Sequence, residues 1–241
     1  AYTMGAMGLF AEQCVDKSGF TREEQDAFAI TSLERAKNAI AEGRFENEIT
    51  PFTVKSRRGD VVYDTDEQPG KGNPEKIPQM RPAFKKDGSV TAANASSISD
   101  GAAALVLTRL SVAEELGLKP LAKVCAHSTN SHEPEWFTTA PVGAIQKLLE
   151  KVNWSKDEVD LYEINEAFAT VTMATMKELD LPHEKVNVHG GACALGHPIG
   201  ASGARIIVTL LSAMQTYNKT KGVAGICIGG GEATAIALEL M

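Results

Sequence analysis

Apolar residues recur at helical spacing over residues 18–42, which predicts a long amphipathic helix. Thr21 and Glu24 near its start have the spacing of a capping box, and Gly43 follows its last turn as a glycine C-cap would. Residues 44–90 lose this periodicity and mix short β-prone pieces with charge clusters, prolines and glycines. This first part of the chain therefore predicts a loop-rich α+β segment.

Beyond residue 90 the pattern becomes an alternation of short apolar runs and amphipathic stretches. The runs that predict strands are 102–108, 121–127, 159–164, 186–189, 222–228 and 234–240, and the predicted helices are 111–116, 142–152, 166–179 and 201–217. Strands separated by helices of this length predict an α/β fold in which a mixed sheet has helices on both faces. The short glycine-rich link between the last two strands predicts an antiparallel hairpin.

Composition and charge narrow the functional classes. Hydrophobic residues at 43% and charged residues at 23% are typical of a globular chain. The net charge of -7 argues against general nucleic-acid or membrane-surface binding, which needs a basic face. No apolar run approaches the roughly 20 residues of a membrane helix. The four cysteines are scattered, with neither a CxxC pair nor metal-type spacing, so we expect a soluble, cytoplasmic protein without disulfides or a metal site.

Four polar or glycine-rich segments lie at predicted strand ends or strand–helix junctions, where open α/β sheets present functional groups: residues 91–96, 165–168, 196–200 and 227–231. His197, between Gly196 and Pro198, is either a turn histidine or an imidazole held for catalysis. Cys227 is either a small buried hydrophobe or a thiol beside bare backbone N–H groups, which suit an oxyanion. Asn165 is either a helix N-cap or a group that holds a ligand at the sheet edge.

In their order along the chain, these segments resemble the signature blocks of the thiolase family. The C-terminal blocks are NEAFA at 165–169, GGACALGHPIGASGARI at 190–206 and CIGGG at 227–231; TAANASSISDGAAA at 91–104 resembles the preceding block, and EEQDAFA at 23–29 and RPAF at 81–84 resemble the loop domain. The resemblance covers essentially all 241 residues. It implies a thiolase loop domain, in part, over 1–90 and a C-terminal thiolase α/β domain over 91–241.

The same resemblance implies that the family's N-terminal half, with its nucleophilic cysteine, is missing from the chain. It therefore implies an enzyme that is active as part of a longer chain, whereas this fragment alone is expected to be inactive. No cysteine here stands in a Cys-x-Ser-Gly setting, and Cys14, Cys125 and Cys193 lie outside the motif positions. The implied partners are acyl-CoA substrates, this missing half and further copies of the same chain, as a dimer or tetramer.

The activity that the resemblance implies is acetyl-CoA acetyltransferase: Claisen condensation of two acetyl-CoA to acetoacetyl-CoA and CoA, or the reverse thiolysis. His197 would activate the nucleophile and donate to a thioester oxygen, and Asn165 would hold a water in this oxyanion site. Cys227 would be the acid/base at the reacting carbon, and the Gly229 N–H would serve a second oxyanion hole. A thiol near a cation or bare N–H groups ionises near neutral pH, consistent with these roles.

The resemblance also implies coenzyme A as a substrate, with no cofactor held permanently. The residues implied to line or contact its pantetheine arm are Ser96, Ala92, Ala93, Phe84, Phe168 and Met7. Lys71 and Arg57 are candidates for its phosphates. Two positions depart from the family pattern: Ala6 stands where many members have histidine, and Phe137 occupies a place near the acyl pocket that often holds a smaller residue.

Two alternatives stay open at this stage. One is a 3-ketoacyl-CoA thiolase for longer chains, which uses the same residues, with Phe137 as a determinant of chain length. The other is a non-catalytic fragment that binds CoA or an oligomer partner. Ketoacyl synthases share the fold, but a histidine is expected there in place of Cys227.

Overall fold

The structure is a computed structural model and describes residues 5–241. The helices are α1 Met7–Ser18, α2 Arg22–Ala41, α3 Glu67–Lys71, α4 Leu110–Glu115, α5 Ala140–Val152, α6 Ala169–Leu179, α7 Ala192–Leu195 and α8 Ser202–Thr216. The strands are β1 Phe52–Val54, β2 Val61–Tyr63, β3 Ala122–Ser131, β4 Leu161–Ile164, β5 Lys221–Ile228 and β6 Glu232–Leu240. Four short 3₁₀ turns complete the regular structure, at Pro74–Gln79, Pro134–Thr139, Lys156–Glu158 and His183–Lys185.

The main sheet has the order β3-β6-β5-β4. β6 pairs antiparallel with both β3 and β5, while β4 and β5 run parallel, with Leu161 opposite Gly222. A parallel pair needs a crossover connection, and α6 and α8 lie in the chain between β4 and β5. The predicted mixed sheet and the terminal hairpin are thus confirmed.

Helices cover both faces of this sheet, as the sequence predicts. Successive side chains of a strand point to opposite faces. On β4, Tyr162 and Ile164 join the core under α5, and Leu161 joins the core under α8. Gly222 on β5 lets α8 approach closely, because an added Cβ would lie 2.4 Å from the sulfur of Met214. Each large apolar side chain fully buried here contributes about 1.5–3 kcal/mol.

The first part of the chain packs two helices against this α/β unit. α2 begins as predicted, since Thr21 Oγ1 accepts from the Glu24 N–H and the Glu24 carboxylate accepts from the Thr21 N–H. Gly43 follows α2 with φ +68°, which is the conformation of a glycine C-cap. α1 was not predicted, because its start lacks a side-chain cap and acidic residues in the first turn. Tertiary packing against α6 stabilises it instead.

Three predicted elements differ in the structure. Residues 102–108, predicted as a strand, lie outside any strand, and Val106 is 97% exposed; a strand requires a partner for its backbone groups. The predicted strand 186–189 is reduced to one bridge, between Tyr162 and Val186. α6 begins at Ala169 with Phe168 at its N-cap position, so Asn165 is not the cap of this helix.

No helix within residues 5–241 combines the length and the apolar character needed to cross a bilayer.

Candidate active site

Asn165 and His197 meet at one end of the sheet. Asn165 directly follows β4, and its backbone N–H donates to the carbonyl of Gly225 on β5 at 2.9 Å. The His197 N–H donates to the carbonyl of Ser97 at 2.9 Å. These backbone bonds hold the two side chains together, with Asn165 Nδ2 3.3 Å from His197 Nε2. Two groups predicted separately therefore form one unit.

Ser202 is the hydrogen-bond partner of His197 Nδ1. Its Oγ lies 2.6 Å from His197 Nδ1 and donates to the carbonyl of Pro198 at 3.1 Å. A Ser202 hydroxyl that donates its single proton to Pro198 accepts from Nδ1–H. The Asn165 amide then donates to the free lone pair on Nε2. The arrangement makes His197 an imidazole whose basic nitrogen faces Asn165.

Burial lowers the pKa of His197 below its usual value. A neutral imidazole can take a proton from a nearby acid, and a poised histidine is the commonest general base in proteins.

Gly196 allows His197 to reach this place. Its φ of +88° lies in the region that favours glycine, and an added Cβ would stand 2.2 Å from Ser99 Oγ. Any side chain here would push the histidine loop away from residues 97–99.

Cys227 is the penultimate residue of β5 and is 9% exposed. It belongs to a buried cluster whose other members are Ala11, Val15, Val90, Ala95, Phe137, Phe168 and Val171. Burial in these apolar surroundings raises the pKa of its thiol to about 12. Cys227 is consequently a protonated thiol at neutral pH.

The turn after Cys227 is built from Gly229, Gly230 and Gly231, which lie between β5 and β6. Gly230 and Gly231 have φ of +116° and +83°. Met7 lies beside this turn, since a Cβ added to Gly229 would be 3.5 Å from its methyl carbon. The structure thus brings Met7 and Gly229 together from opposite ends of the chain.

Three phenylalanines form an aromatic wall near Cys227. The rings of Phe84 and Phe168 meet edge to face with centroids 6.0 Å apart, and those of Phe137 and Phe168 are 6.3 Å apart. Phe137 is only 2% exposed, whereas Phe84 is 38% exposed. The wall therefore has a closed inner side and an open outer side.

The loop at 91–96 pairs with the segment that carries Asn165. The Ser96 N–H and Oγ both donate to the Ala167 carbonyl, at 3.0 and 2.9 Å. Ala92 on the same loop is exposed, while Ala93 packs toward the cluster around Leu33. Of the predicted pantetheine residues, Ala93 thus faces partly away from the aromatic wall.

Glu166 joins three parts of the chain beneath the site. Its buried carboxylate accepts from Ser32 Oγ at 2.7 Å, Asn187 Nδ2 at 2.8 Å and the Cys193 N–H at 3.0 Å. Burial raises the pKa of this carboxyl, although these three donors act in the opposite direction. Sequence reasoning placed Glu166 only in the first turn of a helix, because its partners are distant along the chain.

Replacing Glu166 with alanine should lower the free energy of unfolding by about 3 kcal/mol, since three buried donors lose their acceptor. Ser32→Ala, which removes one of these donors, should cost about 1 kcal/mol. Urea denaturation of both variants measures the difference. Equal stability of the two variants would contradict the central position of Glu166.

The remaining candidates lie elsewhere. Lys71 pairs with Glu67 on α3, and Arg57 is exposed between β1 and β2. Ala6 is exposed at the start of α1. In residues 5–241 no group of three or more His, Cys, Asp or Glu side chains is arranged to hold a metal.

The other three cysteines each have their own setting. Cys14 is fully buried and accepts from Thr170 Oγ1 at 3.4 Å. Cys193 lies 3.8 Å from the Glu166 carbonyl, and burial raises the pKa of its thiol well above the usual value. Cys125 lies on β3 near Glu239. None of these three contacts supplies the cation or the bare N–H groups that activate a thiol.

Comparison with known proteins agrees with this fold. The family model for the thiolase C-terminal domain matches residues 118–240, and that for the thiolase N-terminal domain matches residues 1–111. The chain belongs to the thiolase family. It is 49% identical over 237 residues to an acetyl-CoA acetyltransferase of Syntrophomonas wolfei, a match covering 98% of this chain and 60% of the relative.

Two solved structures are similar over nearly the whole chain. The acetyl-CoA acetyltransferase of Bacillus anthracis superposes with a TM-score of 0.97 at 46% identity, covering 99% of this chain and 61% of that one. The Acat5 thiolase of Ascaris suum, solved in complex with coenzyme A, superposes with a TM-score of 0.87 at 44% identity, covering 98% and 60%. This chain thus spans about three fifths of the length of these relatives.

One expectation from the sequence needs correction. The prediction that the N-terminal half is missing is not supported, because residues 1–111 match the N-terminal domain model. The chain carries sequence from both thiolase domains. The segment 1–90, which resembles the loop domain, lies within the range that the N-terminal model matches.

Proposed function

We propose that this chain carries the proton-transfer and oxyanion-binding groups of an acetyl-CoA acetyltransferase, which interconverts two acetyl-CoA with acetoacetyl-CoA and CoA. The observation that carries the proposal is the neutral His197 imidazole held between Asn165 and Ser202. Relatives and a solved neighbour named acetyl-CoA acetyltransferases support the choice of reaction.

His197 acts first as a base and then as a donor. Its Nε2 takes the proton of the nucleophilic thiol, and in thiolysis the resulting thiolate adds to the 3-keto carbon of acetoacetyl-CoA. The bond to the neighbouring carbon then breaks, the enolate of acetyl-CoA leaves, and CoA takes up the acetyl group in a second step. The resulting imidazolium N–H donates to the thioester oxygen, together with a water held by Asn165. Donors that are already in place, in a site screened from water, lower the barrier without further reorganisation.

Cys227 moves the proton at the reacting carbon. In thiolysis its S–H protonates the carbon of the leaving enolate, which becomes acetyl-CoA, and the thiolate later regains a proton. In condensation the thiolate removes a proton from the methyl carbon of acetyl-CoA. The Gly229 N–H stabilises the oxyanion formed at the other carbonyl. The raised pKa of Cys227 keeps it protonated, as the thiolysis direction requires.

We assign the open side of the aromatic wall to the pantetheine arm of coenzyme A, with contacts from Met7, Phe84 and Phe168. Ser96, Ala92 and Ala93 complete the proposed lining. The exposure of Met7 and Phe84, at 41% and 38%, supports this placement. So does the coenzyme A complex of the Ascaris suum thiolase. No cofactor is proposed to stay bound between turnovers.

Phe137 favours short acyl groups over the longer chains of a 3-ketoacyl-CoA thiolase. It is 2% exposed and packs in the same cluster as Cys227, so it closes the inner side of the aromatic wall. Phe137→Ala should raise the ratio of kcat/KM for a six-carbon over a four-carbon 3-ketoacyl-CoA by about tenfold, since pocket contacts of this size are worth 1–3 kcal/mol. Phe52→Ala is the control, since Phe52 is 69% exposed on β1 and should leave this ratio unchanged. An unchanged ratio in Phe137→Ala would remove Phe137 from the acyl pocket.

The proposed function is tested with the purified full-length protein, whose intact mass is measured first. We expect cleavage of acetoacetyl-CoA by CoA, measured as the loss of absorbance of the 3-ketoacyl thioester. Binding of CoA without turnover would overturn the proposal in favour of a non-catalytic fragment.

We also propose that the protein forms a homodimer or a homotetramer, which light scattering would distinguish. We further propose that it is cytoplasmic and that it divides into domains 1–90 and 91–241.

A further inference from the structure

A small cavity lies next to the residues that hold His197. Its volume is about 20 Å³, which accommodates one water molecule. The lining includes Asn165 and Ser202, the two side chains that hold His197, together with Glu163, Arg205 and Thr209. The cavity thus adjoins both hydrogen-bond partners of the catalytic imidazole.

Glu163 supplies the polar group that a water would need there. It is the third residue of β4, on the side of the sheet that faces α8, and is only 3% exposed. Its Oε1 is buried and has no hydrogen-bond partner among the described residues. An unsatisfied buried polar atom costs about 1–3 kcal/mol, whereas a buried water commonly bonds such atoms.

We propose that one ordered water occupies this cavity between the Glu163 carboxyl and the Ser202 hydroxyl, and that Glu163 is thereby a positioning residue for His197. The water donates to Ser202 Oγ, which already accepts from Nδ1–H. With both its lone pairs in use, Ser202 directs its own proton to the Pro198 carbonyl. It then has no proton to give Nδ1, so the imidazole stays in the form whose Nε2 is basic.

The charge state of Glu163 fits this direction of donation. The charged groups around it are Glu166, Glu48, Arg205 and Arg35, and burial outweighs the two arginines, so the pKa of Glu163 lies well above its usual value. A protonated carboxyl donates its O–H to the water. The chain of donors therefore runs from Glu163 through the water to Ser202.

The kinetic part of the test rests on the proposed function, whereas the spectroscopic part does not. Glu163→Gln keeps a neutral donor and should retain kcat within about twofold. Glu163→Leu removes the donor and should lower kcat about tenfold with KM unchanged, the effect of about one hydrogen bond. The ¹⁵N shifts of the His197 ring should change from the Nδ1–H form to a mixture in the leucine variant but not in the glutamine variant.

Ala192→Val provides a second route, because Ala192 lines the cavity and a larger side chain fills it while Glu163 is intact. It should reproduce the loss of kcat and the ¹⁵N change, and it decides the matter if Glu163→Leu does not fold. A crystal structure of the unaltered protein should contain the water. An empty cavity, or a His197 ring whose ¹⁵N shifts are the same in all three variants, overturns the inference. Absence of turnover in the unaltered protein would count against the proposed function alone.

Discussion

Replacing His197 with alanine should lower kcat for acetoacetyl-CoA thiolysis by at least about 10³-fold, because base and oxyanion donor are lost together. Steady-state assays of the purified variant measure this loss. His127→Ala is the matched control, since His127 is exposed on β3 and should leave kcat unchanged. If the alanine variant retains more than about a tenth of the activity, proton transfer does not depend on His197.

The pH dependence of kcat/KM of the unaltered protein should also show that His197 acts as a base. The base form of His197 is present above its pKa, and burial places that pKa below the usual value of about 6.5. The acidic fall in kcat/KM should therefore lie below pH 6.5, as protonation of Nε2 removes the base.

Replacing Cys227 with alanine should lower the rate of acetoacetyl-CoA cleavage by about 10³-fold, since a general acid at the reacting carbon typically contributes 10²–10⁴. Acetyl transfer that needs no proton at this carbon, such as exchange of label between acetyl-CoA and CoA, should remain. Cys125→Ser, on the outer strand β3, should leave both reactions unchanged.

The position of the acetyl group provides a sharper check on Cys227. Peptide mass spectrometry after brief exposure to acetyl-CoA should find Cys227 unmodified, because a thiol with a pKa of about 12 is protonated at neutral pH and a poor nucleophile. Acetylated Cys227 would assign it the nucleophile's role.

Local signals predicted several elements well. The capping box of Thr21 and Glu24 and the glycine after α2 involve residues within one turn of each other, so the sequence alone indicates both ends of that helix. The hairpin of β5 and β6 was predicted for the same reason, because a short glycine link joins adjacent partners. The prediction of a strand at 102–108 was wrong, because a strand needs a neighbouring strand to pair with and the local sequence pattern does not specify one.

The candidate site likewise has features that the sequence predicted and features that only the tertiary structure revealed. Ordered motifs in the sequence identified Asn165, His197, Cys227 and Gly229 as a group, and the family was evident from them. The tertiary structure decided that Asn165 contacts His197 rather than capping a helix, since these residues are 32 positions apart. It also introduced Ser202 as the partner that sets the imidazole tautomer and Glu163 as a buried carboxyl behind it.

The sequence by itself thus determined which residue types lie at the strand ends, because motifs and hydrophobic periodicity involve residues that are close together in the chain. Only the tertiary structure decided which of them touch and in which protonation state. Hydrogen-bond partners and burial come from segments far apart in sequence, and those two factors fix the tautomer of His197 and the pKa of Cys227.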